Sequence, residues 1–232
     1  FFRAYGFNEY FEQVTNHLDL TKQFPERFWK IAGWVRKKPG FVWRHFEWKQ
    51  SDKFIKDIKE IYDEAWQFHQ NFTPLEISTI KAEMAQTKSF LEEKFIWFVY
   101  HEEEPAAFLV MFPDINLLLK PLKGKLDFWN KLRFFWLTKT RKIDRARITI
   151  MGVKPKFQRF GLESSIFWEM QQVMDQPKYQ HYKEIELSWV GDFNPKMRAI
   201  HEAVGASFGK RHRTYRLLFD QTKNEAQRHE II

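Results

Sequence analysis

Residues 148–170, ITIMGVKPKFQRFGLESSIFWEM, limit the fold more than any other stretch of the chain. An apolar run of strand-forming residues passes through a short loop with Gly161. It then enters an amphipathic helix with Leu162, Ile166, Met170 and Val173 on one face. A strand that turns directly into a helix aims several backbone N–H groups at one spot, and the helix dipole adds partial positive charge there. The segment therefore predicts a pocket for a phosphate-like anion. Lys154, Lys156 and Arg159 are expected to add charge, and Gly161 allows a ligand or the backbone to come close. Neither the Gly-Lys-Ser/Thr of a P-loop nor a three-glycine dinucleotide fingerprint is present.

The flanking sequence supplies the rest of a layered domain. Residues 41–48 read as a strand, and helices follow over about 52–70 and from Thr73-Pro74-Leu75-Glu76, where a capping box opens the second one. The apolar runs 95–100 and 106–112, split by a polar turn, read as an antiparallel hairpin buried on both faces. Strands at 146–153 and 184–190 alternate with helices at 160–175 and 194–204, the latter opened by Asn194-Pro195 and stopped by Gly205. One or two strands end the pattern at 207–219. The order predicts a mixed α/β fold, one sheet with helices on both faces. Residues 1–40 read as an N-terminal extension, the remnant of a preceding segment, with a short helix at 24–38. Residues 41–219 read as one domain with an insertion at 114–144, and 220–232 as a polar tail.

Composition narrows the chemistry. The 232 residues hold no cysteine, which excludes disulfides, thiolate metal sites and a Cys nucleophile, and suits a cytoplasmic location. No run has the length of a membrane span. No His-Glu-x-x-His or other metal cluster and no Gly-x-Ser-x-Gly is found, so no metal is expected. The chain starts at Phe1 rather than Met, which leaves open what precedes it, a lost segment or a lost domain included. The net charge of +8 favours anionic partners without choosing among them.

Val153-Lys154-Pro155-Lys156-Phe157-Gln158-Arg159-Phe160-Gly161 resembles the signature segment of the GNAT superfamily, the acetyl-CoA-dependent N-acyltransferases. Gln158 and Gly161 match at the family spacing. A second segment, the helix that Asn194 opens and Gly205 ends eleven residues later, also resembles the family. The resemblance implies a mostly antiparallel, splayed sheet and the transfer of an acetyl or other acyl group from coenzyme A to an amine. Met151 and Val153 would bind the pantetheine arm through backbone groups. The amides of Gln158, Arg159, Phe160, Gly161 and Leu162 would hold the pyrophosphate, and Asn194 would lie near the pantetheine. The acyl thioester would sit where the strands ending near Val153 and beginning near Glu184 splay apart.

The chain departs from the family at two positions. Glu163 replaces the second small residue of the signature, where a carboxylate suits the helix dipole but repels phosphate. His201 stands where many members carry the Tyr that protonates the departing thiolate. His201 is one candidate acid and Tyr215 the other, each also readable as a packing side chain. Asp114 and Asn116, after the hairpin, are candidates for contact with a small-molecule or peptide amine, or simply make the turn. Glu186 and Asp192 read as solvated charges rather than a general base. The segment 117–147 mixes Trp, Phe and Leu with cations and admits four readings. It is a packed insertion, a wall over the acceptor, a patch that meets anionic membrane, or a nucleic-acid contact, the last not expected as a partner. A catalytically silent GNAT-like binding domain acting through 117–147 is the alternative to the enzyme.

Overall fold

The computed structural model describes residues 1–68, 72–125, 127–140 and 142–219. The tail expected at 220–232 lies outside the described residues. The strands are β1 (Asn8–Asp19), β2 (Phe41–His45), β3 (Ile96–His101), β4 (Glu104–Pro113), β5 (Arg145–Val153), β6 (Glu184–Gly191) and β7 (Ser207–Arg216). The helices are α1 (Glu26–Arg36), α2 (Ser51–Trp66), α3 (Ile77–Thr87), α4 (Asn116–Leu119), α5 (Phe128–Thr140), α6 (Leu162–Met174) and α7 (Pro195–Ala203). The strands form one sheet in the order β2-β3-β4-β5-β6-β1-β7. Every pairing is antiparallel except β5 with β6.

The hairpin β3–β4 is the spine of the core, because alternate residues serve different helical layers. Trp97, Val99, Ala107, Leu109 and Met111 pack with α1 and α6, whose Phe28, Val35, Ile166 and Met170 are buried there. Ile96, Phe98, Tyr100, Phe108 and Val110 pack with Phe54, Ile58 and Ile61 of α2 and with Ile80 and Met84 of α3. A strand buried on both faces has no polar side to show, so its sequence is a continuous apolar run. Emptying one such site, as in Phe108→Ala, costs roughly 3–5 kcal/mol.

Two elements differ from the sequence expectation. The capping box at Thr73 is not used: α3 starts at Ile77, with no side-chain cap. Tertiary bonds hold the preceding turn instead, where the Leu75 N–H donates to Asp63 Oδ1 at 3.1 Å and Lys59 Nζ donates to the Leu75 carbonyl at 2.7 Å. The second difference is β1. Residues 1–40, expected to precede the domain, supply an interior strand of its sheet and a helix of its core. NEYFEQVTNHLD shows no apolar face, so the period-2 signal is missing. Cross-strand polar pairs are found instead: His17 Nδ1 lies 2.6 Å from Glu184 Oε1 of β6, and Glu12 pairs with Arg211 of β7 at 3.2 Å. The edge strand β7 is exposed over most of its length and carries Lys210, Arg211, Arg213 and Arg216, charges that discourage edge-to-edge pairing.

Candidate active site

The parallel pair β5–β6 holds register from Arg145↔Glu184 to Ile148↔Leu187 and no further. Beyond that point the strands separate, and Ser188 Oγ donates to the Thr149 carbonyl at 3.1 Å at the fork. A cavity of about 580 Å³ opens there. Thr149, Ile150 and Met151 line it from β5, and Ser188, Trp189 and Val190 from β6. Tyr62 and Trp66 of α2 and Phe193, Asn194, Met197 and His201 around α7 close it. Among the described residues that line it, none is Asp, Glu, Lys or Arg. The interior is apolar with a few hydroxyls, an amide and an imidazole, the composition of a small-molecule site.

His201 is the titratable group most altered by this environment. It is 4% exposed, and burial pulls its imidazole from 6.5 down to about 4. Nδ1 lies 3.1 Å from Asn16 Nδ2, an amide nitrogen that can only donate. The inferred tautomer therefore accepts at Nδ1 and carries its hydrogen on Nε2. An imidazole held neutral is not a proton source at neutral pH; what it offers a bound group is an N–H donor. The strand that carries Asn16 is β1, so this partner was invisible to local sequence patterns.

From β5 the chain enters a 3-10 turn over Pro155–Phe160. Gly161 follows at φ 71°, a left-handed conformation that suits glycine, and α6 begins at once. Among the described residues the Leu162 N–H has no hydrogen-bond partner, whereas the Phe157 N–H is used by the Lys154 carbonyl at 2.9 Å. The Glu163 carboxyl is raised by burial, while its own N–H and Lys196 draw it the other way.

The loop cations behave unlike the sequence expectation. Lys154 is 1% exposed and its ammonium sits among Glu60, Glu64 and Glu104, the last two at 2.8 and 3.0 Å. Burial pulls this ammonium down, but the three carboxylate hydrogen bonds more than offset it and hold it above its ordinary value. Lys156 pairs with Glu104 at 2.6 Å. Both charges pin β5 to α2 and the β3–β4 turn, and neither is left over for an anion. Arg159 is exposed and makes no ion pair among the described residues. Two cations that local reading passed over stand nearby: Lys196 Nζ donates to Gln158 Oε1 at 3.4 Å, and Lys38 Nζ lies 4.8 Å from the Phe160 ring centroid.

The other sequence candidates are divided among distant places. Asn194 lines the cavity, and its Oδ1 accepts from the Met197 N–H at 3.1 Å, the predicted N-cap of α7. Met151 lines the cavity and Val153 ends β5. Tyr215 lies in β7 with its ring stacked on Phe2, outside the cavity lining. Asp114 is buried at the opposite end of β5, where its carboxylate binds Arg145 and accepts from Asn116 Nδ2 at 2.9 Å. Both residues make a turn there and neither lines the cavity. Glu186, expected to be solvated, is buried between β5 and β1 and pairs with Arg147 at 3.1 Å and Lys210 at 3.2 Å. The Asp192 carboxylate accepts from the Glu12 N–H at 3.4 Å.

No family model matches the chain. It is 30% identical over 177 residues to the "Bacterial ceramide synthase" of Caulobacter vibrioides (strain NA1000 / CB15N), covering 76% of this chain and 46% of that protein. It is 26% identical over 198 residues to "Protein YghO" of Escherichia coli (strain K12), covering 85% of this chain and 50% of that protein. The chain thus spans about half the length of the curated relatives it matches. The crystal structure of a GCN5-related N-acetyltransferase from Sphaerobacter thermophilus superimposes with a TM-score of 0.58 at 9% identity, over 92% of this chain and 53% of that one. With a mostly antiparallel seven-stranded sheet, one parallel pair that splays apart, and the strand–loop–helix at Gly161, the chain has the fold of the GCN5-related N-acetyltransferases.

Proposed function

We propose that the chain is the transferase portion of an enzyme that moves an acyl group from coenzyme A to an amine. The observation that carries this reading is the fork between β5 and β6, which opens an uncharged cavity beside the strand–loop–helix. The cofactor arm would run along Met151–Val153, with its pyrophosphate at the Gly161 and Leu162 amides, since those of Gln158, Arg159 and Phe160 lie within the 3-10 turn, and at Arg159, Lys38 and Lys196. Coenzyme A, when bound, supplies the activated thioester carbonyl. The chain's own residues hold that carbonyl in the fork, where a strand N–H and the His201 Nε2–H are the donors available to its oxygen.

The lack of charge among the described lining residues bears on the nucleophile. Moving an ammonium into an apolar site is costly, so the amine enters neutral and its proton stays in water. The neutral amine attacks the carbonyl carbon, the C–S bond breaks, and the proton lost by nitrogen leaves with the thiolate. Such a mechanism is largely positional, with rate gained from orientation in the fork.

The cavity also supports a finer reading. About 580 Å³ lined by Trp66, Ile150, Phe167, Trp189 and Phe193 is more apolar volume than an acetyl group fills. A ceramide is the amide of a fatty acid and a long-chain amino alcohol, and the Caulobacter relative carries the name of a ceramide synthase. Both facts favour long-chain partners over a peptide amine. The test is thiol release and product mass from the chain with acetyl- or palmitoyl-coenzyme A and a long-chain amino alcohol or a peptide amine. Amide formation that is greatest with both long-chain partners supports the reading. Coenzyme A binding without turnover would favour a silent GNAT-like domain, and no binding would end the proposal.

A further inference from the structure

The helix α5 is mounted the wrong way round for a soluble surface. Leu137 and Phe134 face inward onto Leu118, Leu122 and Ile143. The other side of the helix carries Phe128, Trp129, Leu132, Phe135 and Trp136, and all five are exposed, the two tryptophans at 76% and 61%. At 3.6 residues per turn these five side chains share one arc of about 120°. Lys131 and Arg133 flank that arc and Lys139 sits within it, all exposed. Between Lys120 and Arg147 the sequence holds ten Lys or Arg against Asp127 and Asp144.

The helix is well made despite its exposure. Asp127 caps it, accepting from the Asn130 N–H at 2.9 Å through Oδ1 and from the Lys131 N–H at 2.9 Å through its carbonyl. The aromatic face is therefore presented by an ordered element anchored on its inner side.

We propose that α5 docks flat on an anionic lipid surface, with its aromatic face among the upper acyl chains and its cations at the lipid phosphates. Trp and Phe beside Lys and Arg is the composition of interfacial helices. At 13 residues α5 cannot span, and among the described residues no helix is long and apolar enough to cross a membrane. Charge chooses the occupant. A second copy of this face would bring Lys131, Arg133 and Lys139 against their own equivalents, and like charges repel. A nucleic acid would meet Leu132 and Phe128 at the centre, where its phosphates need cations. An anionic bilayer satisfies both parts, with apolar depth over Phe128–Trp136 and phosphate at the flanks and at the C-terminal end of the helix, where Lys139 stands. The inference does not depend on the transferase reading, because no residue of the fork takes part.

The test uses the whole chain with vesicles of equimolar phosphatidylglycerol and phosphatidylcholine, and with phosphatidylcholine alone, in a flotation assay. Binding to the anionic vesicles that falls with salt is expected. Each cation near an anionic surface contributes about a fivefold factor, so K131Q/K139Q should weaken binding roughly 25-fold. The variant W129S/W136S should lose binding with its melting temperature unchanged, because both side chains are exposed. Three results would overturn the proposal: no flotation with anionic vesicles, equal flotation with neutral ones, or W129S/W136S binding as the parent does. A concentration-dependent dimer in sedimentation that W129S/W136S dissolves would assign the face to a second copy instead. Retention of an oligonucleotide that K131Q/K139Q releases would assign it to nucleic acid.

Discussion

His201 makes the stability of this protein depend on acid in a way that one substitution can isolate. Its folded value of about 4 lies below its ordinary 6.5, so the unfolded chain binds the proton more tightly. Stability from this residue is fully present above pH 6.5 and is lost as pH falls toward 4. Between pH 7 and pH 5 the unfolded imidazole becomes almost fully protonated while the folded one stays mostly neutral. The loss is about 2 kcal/mol, which follows from one pKa unit being worth about 1.4 kcal/mol. His201→Gln keeps an acceptor for the Asn16 amide and removes the titration. Urea denaturation of parent and variant at pH 7 and pH 5, at one ionic strength, gives four midpoints. With a slope of about 2 kcal/mol/M, the parent midpoint should fall by roughly 1 M more than that of the variant. An equal fall in both, or an imidazole resonance of His201 that titrates near 6.5, would refute the argument that burial keeps this ring neutral.

Two further substitutions test the loop before α6, as the proposed cofactor site, and the strand beside it. Glu163→Gln should tighten coenzyme A binding by about fivefold at pH 7, since a carboxylate near phosphate costs on the order of 1 kcal/mol in this setting. Because burial raises the Glu163 carboxyl, the affinity of the parent should improve as pH falls through its titration, and isothermal calorimetry should show that trend vanish in the variant. Gly152→Ala places a methyl group 2.6 Å from Trp66 Cζ3 and 2.9 Å from Phe108 Cε1. Overpacking of that kind costs about 1–3 kcal/mol, so a thermal melt should drop by roughly 2–10 °C, with turnover falling as Trp66 shifts into the cavity. An unchanged melt would mean that the Trp66 ring moves aside freely.

The legible parts of the fold are those in which a local pattern and the final environment agree. The β3–β4 hairpin reads as buried on both faces because its apolar run has no polar alternate residue, and both layers in fact use it. Asn194 reads as an N-cap and acts as one. The strand end at Val153, the loop with Gly161 and the helix α6 follow from the segment 148–170 alone. Local patterns are short-range statements about backbone and side-chain period, and these elements obey them.

What tertiary structure alone decided is pairing across long separations. β1 lies between β6 and β7, bonded along both edges to strands about 170 and 200 residues away, and its own sequence shows no clean apolar alternation. Lys154 reads as a cation for a ligand, and the fold surrounds it with Glu60, Glu64 and Glu104, three carboxylates from two other elements. His201 reads as a possible acid, and the fold buries it beside Asn16, where the neutral form is favoured. The physical reason is the same in each case. A side chain's charge state and partner are set by the dielectric and the neighbours that folding brings to it, and neighbours distant in sequence leave no periodicity to read.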